Sequence, residues 1–398
     1  MTSNSICILS SRETPSKSRS EEVKRIVLFK QELTAKGGLE KATMRIANAF
    51  LEKASDVTIV TGTPKEECPS IPGITIASFP VRGWLTFTQL NAWDEICRSY
   101  IAKHPADIVL SFDRTTLQTH MRAGNGIHAA YLHQRRLLVG PWKKASFAYN
   151  PLHRTILRLE KKALGNPNLR RVIVNSSMVR QEAIDHYGVD PSLLHVIHNG
   201  VEWTELAPEF QNWPALRNET ALEIGSDPAA FHFLFIGHEY GRKGLDFLLK
   251  SLSRLPVNDA RLIVIGRDKN ISAYKQKAER LGLRHVYFLG ARKDTSRFYA
   301  LADAVVVPSL YDPFANVTIE ALAMGLFVVS SKHNGGSEVL DKSRGAIIAD
   351  LLEPEAVAKS LELAMQHPKT EESAQRIRYS VRYMDYPLHL ERFTSACL

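Results

Sequence analysis

Short apolar runs rich in β-branched residues alternate along this chain with segments whose apolar positions recur every three to four residues. The run at 25–30 (RIVLFK) predicts a strand, which leads through a Gly-Gly pair into a helix carrying Leu39, Met44, Ile46, Ala47 and Phe50. Strands are predicted again at 57–61, 74–78, 107–111, 172–175 and 194–197. Between them fall a helix around 90–103 and a second one capped by Ser176 or Ser177. The rhythm restarts at 231–236, where Gly237, Gly241 and Gly244 precede a helix built on Leu245, Leu248, Leu249 and Leu252. Strands at 261–266, 286–290 and 302–307 follow. A buried helix then begins at Ala315, with Val317, Ile319, Ala321, Leu322 and Met324 on its apolar positions, and Gly325 stops it before a strand at 326–330. Further helices are predicted at 354–366 and over 374–398.

Repeated strand–helix–strand units demand parallel sheets covered by helices, so the fold class is α/β with two Rossmann-like domains. The turn at Asn199-Gly200 closes the first. The stretch 203–228, polar and interrupted by proline and glycine, predicts an irregular linker. The expected organisation is a tail at 1–24, a first domain at 25–202, a second at 203–368 and a helical segment at 369–398.

Composition changes this picture in one respect. The 398 residues are 44% hydrophobic and 23% charged, ordinary for a globular chain, but lysine and arginine exceed the acids to give a net charge of +9. Ten of these cations lie within 135–171 beside a single acid, Glu160, interleaved with Trp142, Phe147, Tyr149 and the apolar 137–139. No nucleic-acid-binding signature accompanies them. An anionic membrane surface or a phosphorylated glycolipid is therefore the expected partner, with a merely solvated basic face as the alternative. The cysteines Cys7, Cys68, Cys97 and Cys397 form no C-x-x-C pair and suggest neither a zinc site nor a disulfide framework. No apolar run reaches the ~18 residues of a membrane span, and the apolar patch at 6–9 is too short for a signal peptide. A cytoplasmic protein, peripheral on the inner face of the membrane, is expected.

The candidate chemistry gathers at the carboxyl ends of the predicted strands. The stretch 308–338, PSLYDPFANVTIEALAMGLFVVSSKHNGGSE, runs from strand to exposed loop, helix, strand and glycine turn. A helix start there offers unpaired N–H groups and positive potential at Ala315, Asn316 and Val317, suited to a phosphate. Asp312 stands before this start and Glu320 one turn inside it. Arg242 and Lys243, framed by glycines after the strand at 231–236, supply cations facing the same cleft. In the first domain Gly37 and Gly38 form a second anion-friendly turn. The segment HMRAGNGIHAAYLHQRR places Asn125 between Gly124 and Gly126 and ends a glycine loop at His128, with Asp113 the nearby acid after 107–111.

The motif YDPFANVTIEALAMGLFVV resembles the signature of the family 4 retaining glycosyltransferases, with closest likeness to the lipopolysaccharide core glucosyltransferase branch. The segments GGLEKA, RAG-x-G-x-H and VNS…VI-x-NGV resemble the same family. The resemblance implies two facing Rossmann-like domains of the GT-B type, with a last helix crossing back onto the first domain. It implies a nucleotide diphosphate sugar as co-substrate, a glycolipid or saccharide acceptor, no metal and no other cofactor. Glu320 is then expected to bind the donor ribose, and Asp312 to approach the transferred sugar. Arg242 and Lys243 would hold the diphosphate, with Gly37, Gly38, Gly237, Pro313, Phe314, Ala315, Asn316 and Val317 around it, and Arg292 would lie at the base. His128 would take part in catalysis, and Asp113 and Asn125 would touch acceptor or sugar. Gly335, Gly336 and Ser337 would add backbone donors. Two departures are visible: Asp312 stands where Glu is more frequent, and Asn125 where Asp often stands. A sugar-nucleotide 2-epimerase of the same fold and a non-catalytic nucleotide or glycan binder remain alternatives. A dinucleotide dehydrogenase does not fit, since no G-x-G-x-x-G follows a strand in frame.

Overall fold

The computed structural model describes residues 23–33, 38–53, 55–81, 83–137, 139–255 and 260–398. Seven strands form the first sheet: β1 (Arg25–Lys30), β2 (Asp56–Thr61), β3 (Thr75–Ser78), β4 (Ile108–Ser111), β5 (His120–Arg122), β6 (Arg171–Val174) and β7 (Leu194–Val196). Six form the second: β8 (Phe231–Ile236), β9 (Ala260–Ile265), β10 (Val286–Gly290), β11 (Ala304–Val307), β12 (Phe327–Ser331) and β13 (Gly345–Ile348). Their orders are β3-β2-β1-β4-β5-β6-β7 and β10-β9-β8-β11-β12-β13, every pair parallel. The strand order therefore reverses between β1 and β4 in one sheet and between β8 and β11 in the other. Crevices at such switch points are where open parallel sheets take ligands.

Most strands are apolar on both faces, as a sheet covered on both sides requires. Ile26, Leu28, Ile59 and Leu110 enter one core under the first sheet, while Val27, Phe29 and Val60 enter another with Trp93. The second sheet divides in the same way.

Three features differ from the sequence pattern. The stretch read as an irregular linker holds two helices, Ala207–Gln211 and Trp213–Glu223. Their prolines occupy first-turn positions, where a missing N–H costs nothing, so they start helices instead of breaking them. Trp203, Leu206, Phe210, Trp213 and Leu216 pack onto the second core, which binds this segment to the second domain. The three-residue β5 was not predicted, being too short for an alternation to register. The carboxyl-terminal segment also splits. Glu371–Tyr379 packs with Ile377 in the second core, and only the helix Tyr386–Cys397 returns, placing Phe393 and Cys397 in the first. Among the described residues no helix is long and apolar enough to cross a membrane.

Candidate active site

The second switch point brings charged groups from two loops together. Lys243 follows β8 and Asp312 follows β11, and the Lys243 ammonium contacts Asp312 Oδ2 directly. Arg242 Nη1 lies 3.9 Å from the same oxygen, while its Nε donates to Glu239 at 2.8 Å. Asp312 is 7% exposed, so these cations meet a largely desolvated carboxylate. The packing that permits this is backbone against backbone. Gly244 has φ +81°, and a Cβ there would come 1.8 Å from the carbonyl oxygen of Pro308. Leu310 N–H donates to Arg242 O at 3.0 Å, locking the β8 loop to the β11 loop. The Lys243 stem lies along Gly237, where a Cβ would approach its Cγ to 2.9 Å.

From Asp312 the chain enters the helix Asn316–Ala323. The N–H of Ala315 is already taken by Asn334 Oδ1 at 2.9 Å, so the amides of Asn316 and Val317 are those that face an incoming anion. Phe314 stacks on His198, with ring centroids 5.5 Å apart. Glu320 lies one turn deeper, its Oε2 accepting from the Tyr299 hydroxyl at 2.7 Å. Burial raises the Glu320 pKa, opposed by that hydrogen bond and by the Lys243 charge. Arg292 sits over the Phe298 ring at 5.2 Å and is held by Asp294 at 2.7 Å and Glu223 at 3.2 Å, so its guanidinium is engaged by acids.

The first domain packs onto the loop between β11 and the helix Asn316–Ala323. Gly126, with φ +69°, lies against it so tightly that a Cβ would come 2.4 Å from the Tyr311 hydroxyl and 2.6 Å from Pro313. That hydroxyl accepts from Ile127 N at 3.0 Å and donates to Glu182 Oε2 at 2.7 Å. Burial raises Glu182 to about 7, so it can hold this contact as a neutral or an ionised acid near neutral pH. Ser176 donates to Pro313 O at 2.8 Å. Glu338 receives Ser177 N–H at 2.9 Å and pairs with His198 Nε2 at 2.7 Å, and Asn199 donates to Asn316 Oδ1 at 2.8 Å.

The first switch point mirrors the second. Lys30, at the end of β1, lies 3.5 Å from Asp113, just past β4, and Asp113 also accepts from Gln31 N at 2.6 Å. Asn125 is exposed on the turn beside Gly126. Gly37 lies outside the described residues, and Gly38 opens the helix Gly38–Glu52.

Two expectations are corrected. The His128 ring is engaged inside the first domain: its Nε2 pairs with His153 Nδ1 at 3.1 Å, and burial, reinforced by Arg114, lowers its pKa to about 4. An imidazole whose Nε2 is taken up by a second histidine is committed within the first domain, so this geometry does not favour a catalytic role. The N–H groups of Gly335, Gly336 and Ser337 are not open donors either. They are satisfied by Asp312 O, Asn334 Oδ1 and Asn334 O at 2.9, 3.0 and 2.8 Å. Sequence reasoning missed Tyr299 and Tyr311, whose hydroxyls hold Glu320 and the interdomain contact. A buried tyrosine with a required hydroxyl partner gives no separate signal in an apolar pattern.

Two cations and two helix-start amides, with a recessed carboxylate one turn beyond, chemically suit an anionic ligand that also carries hydroxyl groups. Comparison with known proteins points the same way. Residues 36–204 match the Glycosyltransferase Family 4 description, and 230–367 match that of the group 1 glycosyl transferases. The lipopolysaccharide glucosyltransferase WaaG of Escherichia coli K12 is 22% identical over 338 residues, spanning 83% of this chain and 86% of that protein. A D-inositol 3-phosphate glycosyltransferase of Mycobacterium sp. strain KMS is 31% identical over 190 residues, 45% of this chain and 41% of the relative. The crystal structure of WaaG superposes with a TM-score of 0.74 at 22% identity, covering 93% of this chain and 98% of that one. Anabaena HepE in complex with UDP and glucose gives a TM-score of 0.66 at 17% identity, covering 94% and 98%. The chain is thus a glycosyltransferase of GT-B fold, its first domain of the family 4 type and its second of the group 1 type.

Proposed function

We propose that the protein is a retaining, metal-independent hexosyltransferase. It would move a hexose, with glucose the first candidate, from a nucleotide diphosphate sugar to a cell-envelope glycolipid acceptor such as lipopolysaccharide core. The observation that carries this reading is the Lys243–Asp312–Arg242 cluster beside the amides of Asn316 and Val317. Lys243, Arg242 and the two amides supply the positive charge that a divalent cation supplies in other diphosphate sites. The lipopolysaccharide-glucosyltransferase relative and the UDP-bound structural neighbour support the sugar class and the nucleotide class respectively.

In the proposed step the bond from the anomeric carbon to the diphosphate oxygen breaks while the acceptor oxygen bonds the same face of that carbon. The acceptor proton passes to the departing phosphate oxygen, and the nucleoside diphosphate leaves. Arg242 and Lys243 stabilise the charge that grows on the leaving group. Glu320 holds the ribose, and Asp312, fixed by Lys243, orients the sugar. The test is transfer from a panel of nucleotide sugars to extracted envelope glycolipid. The expected result is a product with retained anomeric configuration at a rate unchanged by EDTA. An inverted product, or an epimerised nucleotide sugar formed without acceptor, contradicts it.

The same reading places the enzyme in the cytoplasm at an anionic membrane. Trp142 is 91% exposed and Tyr149 80%, both within the basic stretch, although Phe147 is buried beneath Arg135 and does not join them. Exposed aromatics beside cations suit a headgroup layer. Cosedimentation with liposomes is expected to rise with anionic lipid and fall several-fold in Trp142→Ala. Binding that ignores lipid charge contradicts the membrane assignment.

A further inference from the structure

A cavity of about 960 Å³ opens between the helix His128–Leu137 of the first domain and the loops after β8 and β9 of the second. Arg242 and Tyr311 join it to the reacting centre, but Glu320, Asn316 and Arg292 do not line it. Of the groups expected to hold the donor, Arg242 alone lines the cavity; those expected at the ribose and the base lie elsewhere, and the cavity leads away from them toward the basic stretch. We propose that it is the acceptor subsite, and that it recognises an anionic group, phosphoryl or carboxylate, on a saccharide.

The charge balance inside the cavity favours this. Its two acids are already committed: Glu239 to Arg242 Nε at 2.8 Å, and Asp268 to the N–H groups of Tyr240 and Asn270, both at 2.7 Å. Three of its cations have no carboxylate partner among the described residues. Arg267 uses its backbone N–H on His238 Nδ1 at 2.9 Å and leaves its exposed guanidinium without one. Lys269 is exposed two residues on. Arg135 lies over the rings of Phe147 and Tyr131, at 5.1 and 6.0 Å, and reaches the Tyr131 hydroxyl at 3.3 Å. Uncommitted cations around a wall that includes Tyr131 and Tyr274 suit a sugar carrying negative charge. The volume is at the upper end for a small-ligand site, leaving room for more than one sugar ring. A neutral acceptor would leave these charges unanswered.

The inference rests on the transferase reading, and its test separates the two. The whole chain is saturated with whichever of UDP, ADP and GDP stabilises it most. Mannose 6-phosphate, glucuronate, mannose and inorganic phosphate are then titrated by calorimetry. A charged sugar is expected to bind at least about tenfold more tightly than mannose, the scale of one charge-assisted contact. Preference between the phosphorylated sugar and the uronate identifies the source of the charge. The double variant Arg267→Ala/Lys269→Ala is expected to lose that advantage while keeping nucleoside diphosphate affinity within about twofold, the scatter allowed for a site it does not touch. Equal binding of charged and neutral sugars overturns the proposal. So does inorganic phosphate binding as tightly as the sugar phosphate, which would reduce the cavity to an adventitious anion site. A parallel loss of nucleoside diphosphate affinity would assign the cavity to the donor and also overturn it. If no nucleoside diphosphate binds the unaltered chain, the donor reading falls by itself. The charged-sugar comparison is then made on the free protein, where tighter binding of a charged sugar supports the anionic subsite and equal binding overturns it.

Discussion

Lys243→Ala lowers turnover by roughly 10²–10³-fold, the usual loss when a donor to growing anionic charge is removed from a site sheltered from water. In the proposed reading the ammonium stands where that charge forms: it follows β8 at the switch point and touches Asp312, four residues before the helix start at Asn316. Arg242→Ala also removes most turnover, although its Nε bond to Glu239 shows that part of its charge is spent locally. The lysine change has a second consequence. With side-chain exposures of 16% and 9%, Lys243 and Asp312 form a nearly buried pair, and breaking such a pair costs up to about 3–5 kcal/mol. Arg242 at 3.9 Å softens this loss. The melting temperature is therefore measured beside the rate, and the kinetics are run well below the transition. Transfer rates within about twofold of the unaltered enzyme, the margin for a residue outside the chemistry, contradict the assignment.

Glu320→Gln raises the donor KM by about 10–100-fold and changes kcat much less, because a carboxylate gripping ribose hydroxyls binds ground state and transition state alike. Tyr299 fixes Oε2 at 2.7 Å, so in the proposed reading Oε1 is the oxygen that meets the ribose. Amide replacement removes the charge while preserving shape, so the loss reports the charge-assisted bond. Tyr299→Phe, which removes the hydrogen bond orienting that carboxylate and leaves its charge in place, raises the KM by a few-fold, less than loss of the charge itself. A fall in kcat at constant KM in Glu320→Gln would instead place this acid in the chemical step.

Much of this site was legible in the sequence because its parts are local. Glycine-framed cations after one strand, an acid after another, and an acid one helical turn inside an apolar segment all sit within stretches whose periodicity names the element. The strand bounds at 25–30, 231–236 and 286–290 coincide with β1, β8 and β10 for the same reason. Proline misled the reading at 203–228, where Pro208 and Pro214 initiate helices. His128 misled it because a glycine-flanked histidine looks alike whether its ring meets a ligand or, as here, His153 at 3.1 Å. Contacts between distant segments left no trace at all. Tyr311 with Glu182, and Glu338 with the helix start at Ser177, join residues more than a hundred positions apart. The cavity beside Arg242 is likewise made by two domains and belongs to neither segment alone.

The central claim is that the β8 loop and the helix Asn316–Ala323 together hold a nucleoside diphosphate. Calorimetric titration of UDP, ADP and GDP into the unaltered protein, Lys243→Ala and Glu320→Gln tests it most directly. One nucleotide is predicted to bind the unaltered chain without added metal, with affinity reduced at least about tenfold in each variant, the loss expected for one charge-assisted contact. Binding of equal strength in all three proteins, or none to the unaltered chain, would contradict the account.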